Sequence, residues 1–315
     1  MNNWLILIPF LICSNVIALP QVILDTDIGG DIDDTWALML MIGSGKVDLK
    51  LIVTAYDDTE TKAKLVARML QTVGRTDIPI GIGVKTSDAK INQSQWIENY
   101  SLDNYKGKIY PNGVETMIET LQNAKEKMTL CVLGPMTNIA KALEIAPDIA
   151  QKARIVCMAG SVYIRYNGKQ GQDPEYNVFQ DVESARKVFS APWEITMIPL
   201  DTCGTIALKG ERYKKVETSE SPLAKVVIEN YNIWTNRKQF SEHESSILFD
   251  TLAAYCTWAE DVVEIKTLNL IIDNEGKTCP DEKGRPVRCA LTWKDKELFE
   301  NTLVKILTRP TSTKP

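Results

Sequence analysis

The stretch Val22-Ile23-Leu24-Asp25-Thr26-Asp27-Ile28-Gly29-Gly30-Asp31-Ile32-Asp33-Asp34 decides the fold class. Its first three residues are aliphatic, the composition of a buried strand. The remainder crowds five aspartates into ten residues, with Gly29 and Gly30 in the middle. Carboxylates this close repel one another at neutral pH unless a cation compensates them or their pKa values rise. The glycines let the backbone turn tightly, so that several carboxylates face inward. Hard oxygen donors of this kind suit Ca²⁺ or Mg²⁺. The plainer alternative is a solvated acidic loop whose Asp33 and Asp34 favour the N-terminus of a following helix.

Outward from this stretch, short apolar runs alternate with amphipathic ones. Strands are expected at 22–24, 49–55, 129–133, 154–159 and 194–200, and helices at 35–42, 61–73, 138–144 and 182–188. Residues 222–258 read as mostly helical, and 262–291 as strands joined by the polar loop 280–286. The alternation predicts an α/β fold: a mostly parallel open sheet flanked by helices, Rossmann-related, with a small C-terminal β segment. No linker rich in Gly, Pro or Ser divides the chain, so 19–315 reads as one domain. Ligands of open parallel sheets bind beyond the carboxyl ends of the strands. Three polar strand ends are expected to converge there: Asp25-Thr26-Asp27, Gly134-Pro135-Met136-Thr137-Asn138 and the loop 163–177.

Composition narrows the partners. A net charge of −5 argues against a nucleic-acid backbone. Residues 4–18 are almost wholly apolar and read as an export signal, 1–18, which places the mature chain in a secreted or periplasmic setting. The run is short for a membrane span. No Lys or Arg precedes it, which leaves an amino-terminal anchor as the alternative. His243 is the only histidine, which argues against a Ser-His-Asp triad and against a His-rich metal site. Cys131, Cys157, Cys203 and Cys256 sit in apolar runs and read as buried hydrophobes. Cys279 and Cys289 flank the 280–286 loop, and a disulfide across it is one expectation.

A strand followed by Asp-x-Asp also opens the haloacid dehalogenase-like phosphatases, but those usually continue with Gly-Thr, whereas this chain continues with Ile28-Gly29-Gly30 and further aspartates. The segment from Asp25 to Leu38 resembles the amino-terminal signature of the inosine-uridine preferring nucleoside hydrolases. Leu133-Gly134-Pro135-Met136-Thr137-Asn138-Ile139-Ala140 resembles their second motif, and Glu175-Tyr176-Asn177 with Phe179 and Asp181 their third. Asp250, in Leu248-Phe249-Asp250-Thr251-Leu252-Ala253, resembles their carboxyl-terminal metal aspartate. The motifs occur in family order. The resemblance implies hydrolysis of a ribonucleoside to ribose and free base with one Ca²⁺. Asp27, Asp34, Asp250 and the backbone carbonyl of Leu133 would hold the ion, and Asp27 would act as general base. Asp33 and Asn177 would bind ribose, Glu175 its 5′ side, and Met158 would pack beneath the sugar. It also implies a homo-oligomer, dimer or tetramer.

The chain departs from the pattern in places. Asp31 lies in two residues of extra length between Asp27 and Asp33, as a ligand, a supporting group or an exposed residue. Phe249 stands where many pyrimidine-accepting members have a histidine. With Asp58, which stands where purine-specific relatives contact the base, it points to a purine leaving group. Asn167 is the asparagine of its loop that can match the family's 5′-hydroxyl contact. Trp96, Tyr100, Tyr105, Tyr231 and Trp234 are candidates for a base-stacking wall, and His243 is expected at the surface. Two other functions stay open: hydrolysis of another N-ribosyl compound, and a nucleoside- or ribose-binding protein without turnover.

Overall fold

The computed structural model describes residues 18–235 and 243–310. The expected export signal lies outside the described residues except for Ala18. The strands are β1 (Gln21–Thr26), β2 (Asp48–Thr54), β3 (Ile80–Ile82), β4 (Ile109–Tyr110), β5 (Met128–Val132), β6 (Ala153–Met158), β7 (Ile195–Ile198), β8 (Val263–Ile272), β9 (Thr278–Pro280) and β10 (Arg285–Trp293). They form one sheet in the order β4-β3-β2-β1-β5-β6-β7-β10-β8-β9. Pairing is parallel from β4 through to β10 and antiparallel for β10–β8 and β8–β9. The expected mostly parallel sheet with a small C-terminal β segment is what the chain builds.

Both faces of the sheet are covered. Along β1, Val22 and Leu24 enter one apolar cluster and Ile23 the other, as the two-residue period of a strand requires. One face carries α1 (Asp33–Ser44), α2 (Thr59–Thr72), α9 (Pro222–Thr235), α10 (Phe249–Cys256) and α11 (Lys296–Leu307). The other carries α3 (Gly113–Gln122), α4 (Thr137–Ile145) and α6 (Val182–Ser190). Shorter helices are α5 (Tyr176–Phe179), α7 (Leu200–Cys203) and α8 (Glu211–Glu217). α1 is apolar nearly all round because α9, α10 and α11 pack against it, and Trp36, Leu38, Met39 and Leu40 are fully buried. The region expected to be mostly helical, 222–258, holds α9 and α10, and residues 243–248 before α10 are not helical. No helix among the described residues is long and apolar enough to cross a membrane.

Chain order reverses about β1, which has β2 on one side and β5 on the other. Such a switch point leaves a crevice at the carboxyl ends of the strands.

The four apolar-run cysteines are buried, as expected. The Cys279–Cys289 disulfide is not formed, and both thiols are free. The hairpin reading fails because β8 lies between β9 and β10: Cys279 pairs with Ile271 and Cys289 with Lys266 on opposite edges of that strand. Two strand spacings are roughly 9–10 Å, beyond the roughly 7 Å between Cα atoms that a disulfide spans.

Candidate active site

β1 ends in Asp25-Thr26-Asp27, and the chain turns back through Gly29 at φ 103°, a left-handed angle that favours glycine. The turn delivers Asp33 and Asp34 to the first turn of α1. α10 begins with Phe249 and places Asp250 in its own first turn, facing them. Oxygen atoms of Asp33, Asp34 and Asp250 all lie within 4.8 Å of one another, and the three side chains are buried. The backbone N–H of Asp250 donates to Asp33 Oδ2 at 3.3 Å, and Thr26 Oγ1 donates to Asp34. Asp27 lines the same cavity as this trio.

Burial, and then the neighbouring carboxylates, push Asp33, Asp34 and Asp250 well above the usual carboxylate range. Burial also raises Asp27, against the opposing pull of the Lys62 ammonium. Beneath them Asp25 is pushed up to about 7 by burial. Its Oδ2 accepts from Asn138 at 2.7 Å, which gives that motif asparagine its task. The same Nδ2 donates to Thr54 O at 3.1 Å, and Asn138 Oδ1 accepts from Val84 N at 2.8 Å. Asn138 thereby fastens three neighbouring strand ends.

β5 and β6 bring up the opposite wall with Leu133 and Met158. Gly134 must be glycine because an added Cβ would lie 2.7 Å from Asp27 Cβ. Glu175 caps α5 and accepts from the N–H groups of Asn177 at 2.9 Å, Gly160 at 2.9 Å and Val178 at 3.3 Å. Burial still dominates and pushes Glu175 up to about 7. Asn177 Nδ2 donates to Leu133 O at 2.9 Å and to Met158 O at 3.0 Å.

These groups line one cavity of about 540 Å³. It brings together Asp27, Asp33, Asp34, Leu133, Met158, Glu175, Asn177, Phe249 and Asp250, all singled out in the sequence. Asp31 lines it too, as does Trp234, whose indole N–H donates to Gly30 O at 3.2 Å. The other aromatic candidates have different tasks. Trp96 donates to Glu229, Tyr100 to Gln71 and Tyr105 to the carbonyl of Ile78, while Tyr231 packs between Trp36, Tyr213 and Trp234. His243 is exposed and does not line the cavity.

Two expected positions are displaced. Asp58 turns away to cap α2, accepting from Thr61 N and Thr61 Oγ1, and Asp57 lines the cavity instead. The cause is local: Tyr56 and Asp57 both take left-handed backbone angles, φ 59° and 54°, which rotate the turn by one residue. Asn167 sits exposed at the tip of a hairpin closed by the Ile164–Gln170 bridge, where it accepts from Lys169 N. Tyr166 takes the wall position there. Its hydroxyl accepts from Tyr176 N at 2.8 Å and donates to Glu175 at 3.5 Å, and its ring meets Phe249 edge-on at 5.9 Å. Lys62, Lys90, Asn92 and Tyr176 also line the cavity without having been expected. Of these, Lys62 carried a signal, a lysine on the apolar stripe of α2.

Solved nucleoside hydrolases share this fold. A plant enzyme superposes with a TM-score of 0.81 at 21% identity, over 93% of this chain and 100% of that one. A purine-preferring ribonucleoside hydrolase from Gardnerella vaginalis gives 0.76 at 22%, over 91% and 98%. In sequence, the pyrimidine-specific ribonucleoside hydrolase RihA of an Enterobacter species is 31% identical over 230 residues, 67% of this chain and 69% of that protein. The Arabidopsis thaliana protein named "Probable uridine nucleosidase 2" is 24% identical over 88% of this chain and 90% of its own length. The family model for inosine-uridine preferring nucleoside hydrolase matches residues 22–305. That span takes in the sheet from Val22 onward and every carboxylate of the cavity, and the chain is therefore a member of the inosine-uridine preferring nucleoside hydrolase family, an N-ribosyl hydrolase.

Proposed function

We propose that the chain hydrolyses ribonucleosides with a preference for purines, using one Ca²⁺ held by Asp27, Asp34, Asp250 and the carbonyl of Leu133. The observation that carries this reading is the buried carboxylate cluster: Asp34 and Asp250, two of the proposed ligands, have oxygens within 4.8 Å of each other and of Asp33, on the wall of a cavity that Asp27, Leu133 and Phe249 also line. Carboxylates packed this way fit a hard cation, and an all-oxygen donor set with no histidine favours Ca²⁺ over softer metals. When bound, the ion supplies Lewis-acid polarisation to water and to ribose hydroxyls.

The side chains do the rest. Asp27 takes a proton from the attacking water as general base. Asp33 and Asn177 hold ribose hydroxyls, Glu175 holds the 5′ side, and Met158 packs beneath the sugar. As the base departs, positive charge develops on the ribose, and the surrounding carboxylates stabilise it. Phe249, with Tyr166 against its edge and Trp234 on the same cavity, supports stacking of a two-ring base. A stacked purine then takes its proton from water. Asp57 replaces Asp58 as the carboxylate facing the base. The apolar run at residues 4–18 supports a reading in which the chain is exported and acts outside the cytoplasm.

The test incubates purified protein with a panel of ribonucleosides and nicotinamide riboside, with Ca²⁺ and with a chelator. Ca²⁺-dependent release of hypoxanthine, adenine or guanine, lost in Asp27→Ala, is expected. Faster release of uracil sinks the purine preference. Release from nicotinamide riboside alone moves the substrate to another N-riboside, and no release from any compound leaves a binding protein.

A further inference from the structure

Lys62 is 1% exposed, yet it lines the cavity. It lies on the buried face of α2, three residues after Thr59 and four before Val66. A buried ammonium persists only where its charge and its donors are matched. Here Nζ donates to Asp27 O at 2.8 Å and to Ala55 O at 3.1 Å, and stands 5.8 Å from the ring centre of Tyr56. The first carbonyl belongs to the acidic loop after β1. The second opens the turn after β2, where Tyr56 and Asp57 hold left-handed angles that are rare for residues with a Cβ. Such angles persist only where the surroundings over-determine them. None of the catalytic roles assigned above uses Lys62.

We propose that Lys62 is a positioning residue that clamps the Asp27 loop to the Tyr56–Asp57 turn, so that the cation site is shaped before an ion enters. The inference rests on the cation site proposed above. Two roles for this ammonium predict opposite results. As a bare positive charge beside the carboxylates it repels an incoming Ca²⁺, and its removal tightens binding. As a clamp it holds the loop backbone in place, and its removal weakens binding.

Calorimetric titration of Ca²⁺ into chelator-stripped protein at fixed pH separates them. Lys62→Met is expected to bind at least tenfold more weakly than native. Lys62→Arg, which keeps the charge and two donors, is expected within threefold of native. Leu65→Ala, a core change on the same helix, is expected to keep native affinity despite a lower melting temperature. Unchanged or tighter binding by Lys62→Met overturns the clamp, and so does an equal loss in Leu65→Ala. If Lys62→Met does not fold, Lys62→Gln, which removes the charge and keeps an amide donor, decides: binding at or below native affinity supports the clamp, and tighter binding overturns it. A native protein that binds no Ca²⁺ removes the cation assignment itself, and the clamp falls with it.

Discussion

Asn177 donates from its side-chain amide to the backbone carbonyl of Leu133 at 2.9 Å, so a residue of α5 holds the end of β5. The same nitrogen reaches Met158 O at 3.0 Å and Met158 Sδ at 3.3 Å. One buried amide thus sets the spacing of two strand ends at the cavity, before any contact with ribose. Asn177→Leu removes these bonds and leaves two carbonyls short of a donor. A loss of about 1–3 kcal/mol is expected, measured by urea unfolding, together with a fall in kcat/KM. Unchanged stability would mean that water replaces the amide.

Gly134 passes against Asp27 with no room for a methyl group. Gly134→Ala pushes the Leu133 carbonyl and the Asp27 side chain apart. Overpacking of this kind costs about 1–3 kcal/mol. Ca²⁺ affinity is expected to fall further than melting temperature alone accounts for, because both displaced groups are proposed ligands. Native affinity in a folded variant would separate one of them from the cation.

Phe249 shares the cavity with the carboxylate cluster to which its neighbour Asp250 belongs. Phe249→Ala removes the proposed stacking surface, and a ring-on-ring contact is worth roughly 0.5–1.5 kcal/mol. Steady-state kinetics are expected to show a larger loss in kcat/KM for inosine than for uridine. An equal loss for both substrates argues that Phe249 acts on the fold and not on the base.

Glu175 provides the pH prediction. Its carboxyl is raised by burial from 4.5 to about 7. The folded state therefore binds this proton more tightly than the unfolded state does. The associated stability is fully present below about 4.5 and is lost as pH rises through about 7. Glu175→Gln keeps the shape and removes the titration. Its melting temperature is expected to vary less between pH 5 and pH 8 than that of the native protein, in thermal melts at matched ionic strength. Parallel curves would place the raised pKa elsewhere.

Much of this molecule was legible in the sequence, and the reason is locality. β1 and β5 announce themselves as short apolar runs because a strand covered on both faces must be apolar throughout. Asp27, Asp33 and Asp34 could be grouped because they are neighbours in the chain. Glu175 is the N-cap of α5, and Asn177 follows two residues later in its first turn. Asp250 came only through the resemblance, since nothing in periodicity brings together residues 217 positions apart.

Tertiary structure decided what depends on register and on what intervenes. Asp57 rather than Asp58 lines the cavity because two consecutive left-handed residues turn the chain, and propensity does not foresee that in Tyr-Asp. Tyr166 rather than Asn167 forms the wall because the Ile164–Gln170 bridge makes 167 a hairpin tip. Cys279 and Cys289 stay apart because β8 slots between their strands. Lys62 points inward because α2 lays that stripe on the sheet, where two backbone carbonyls receive its charge. Composition along a chain determines which elements form. Which side chain meets which, at a resolution of one residue, is fixed only when distant segments pack and each buried polar group finds its partner.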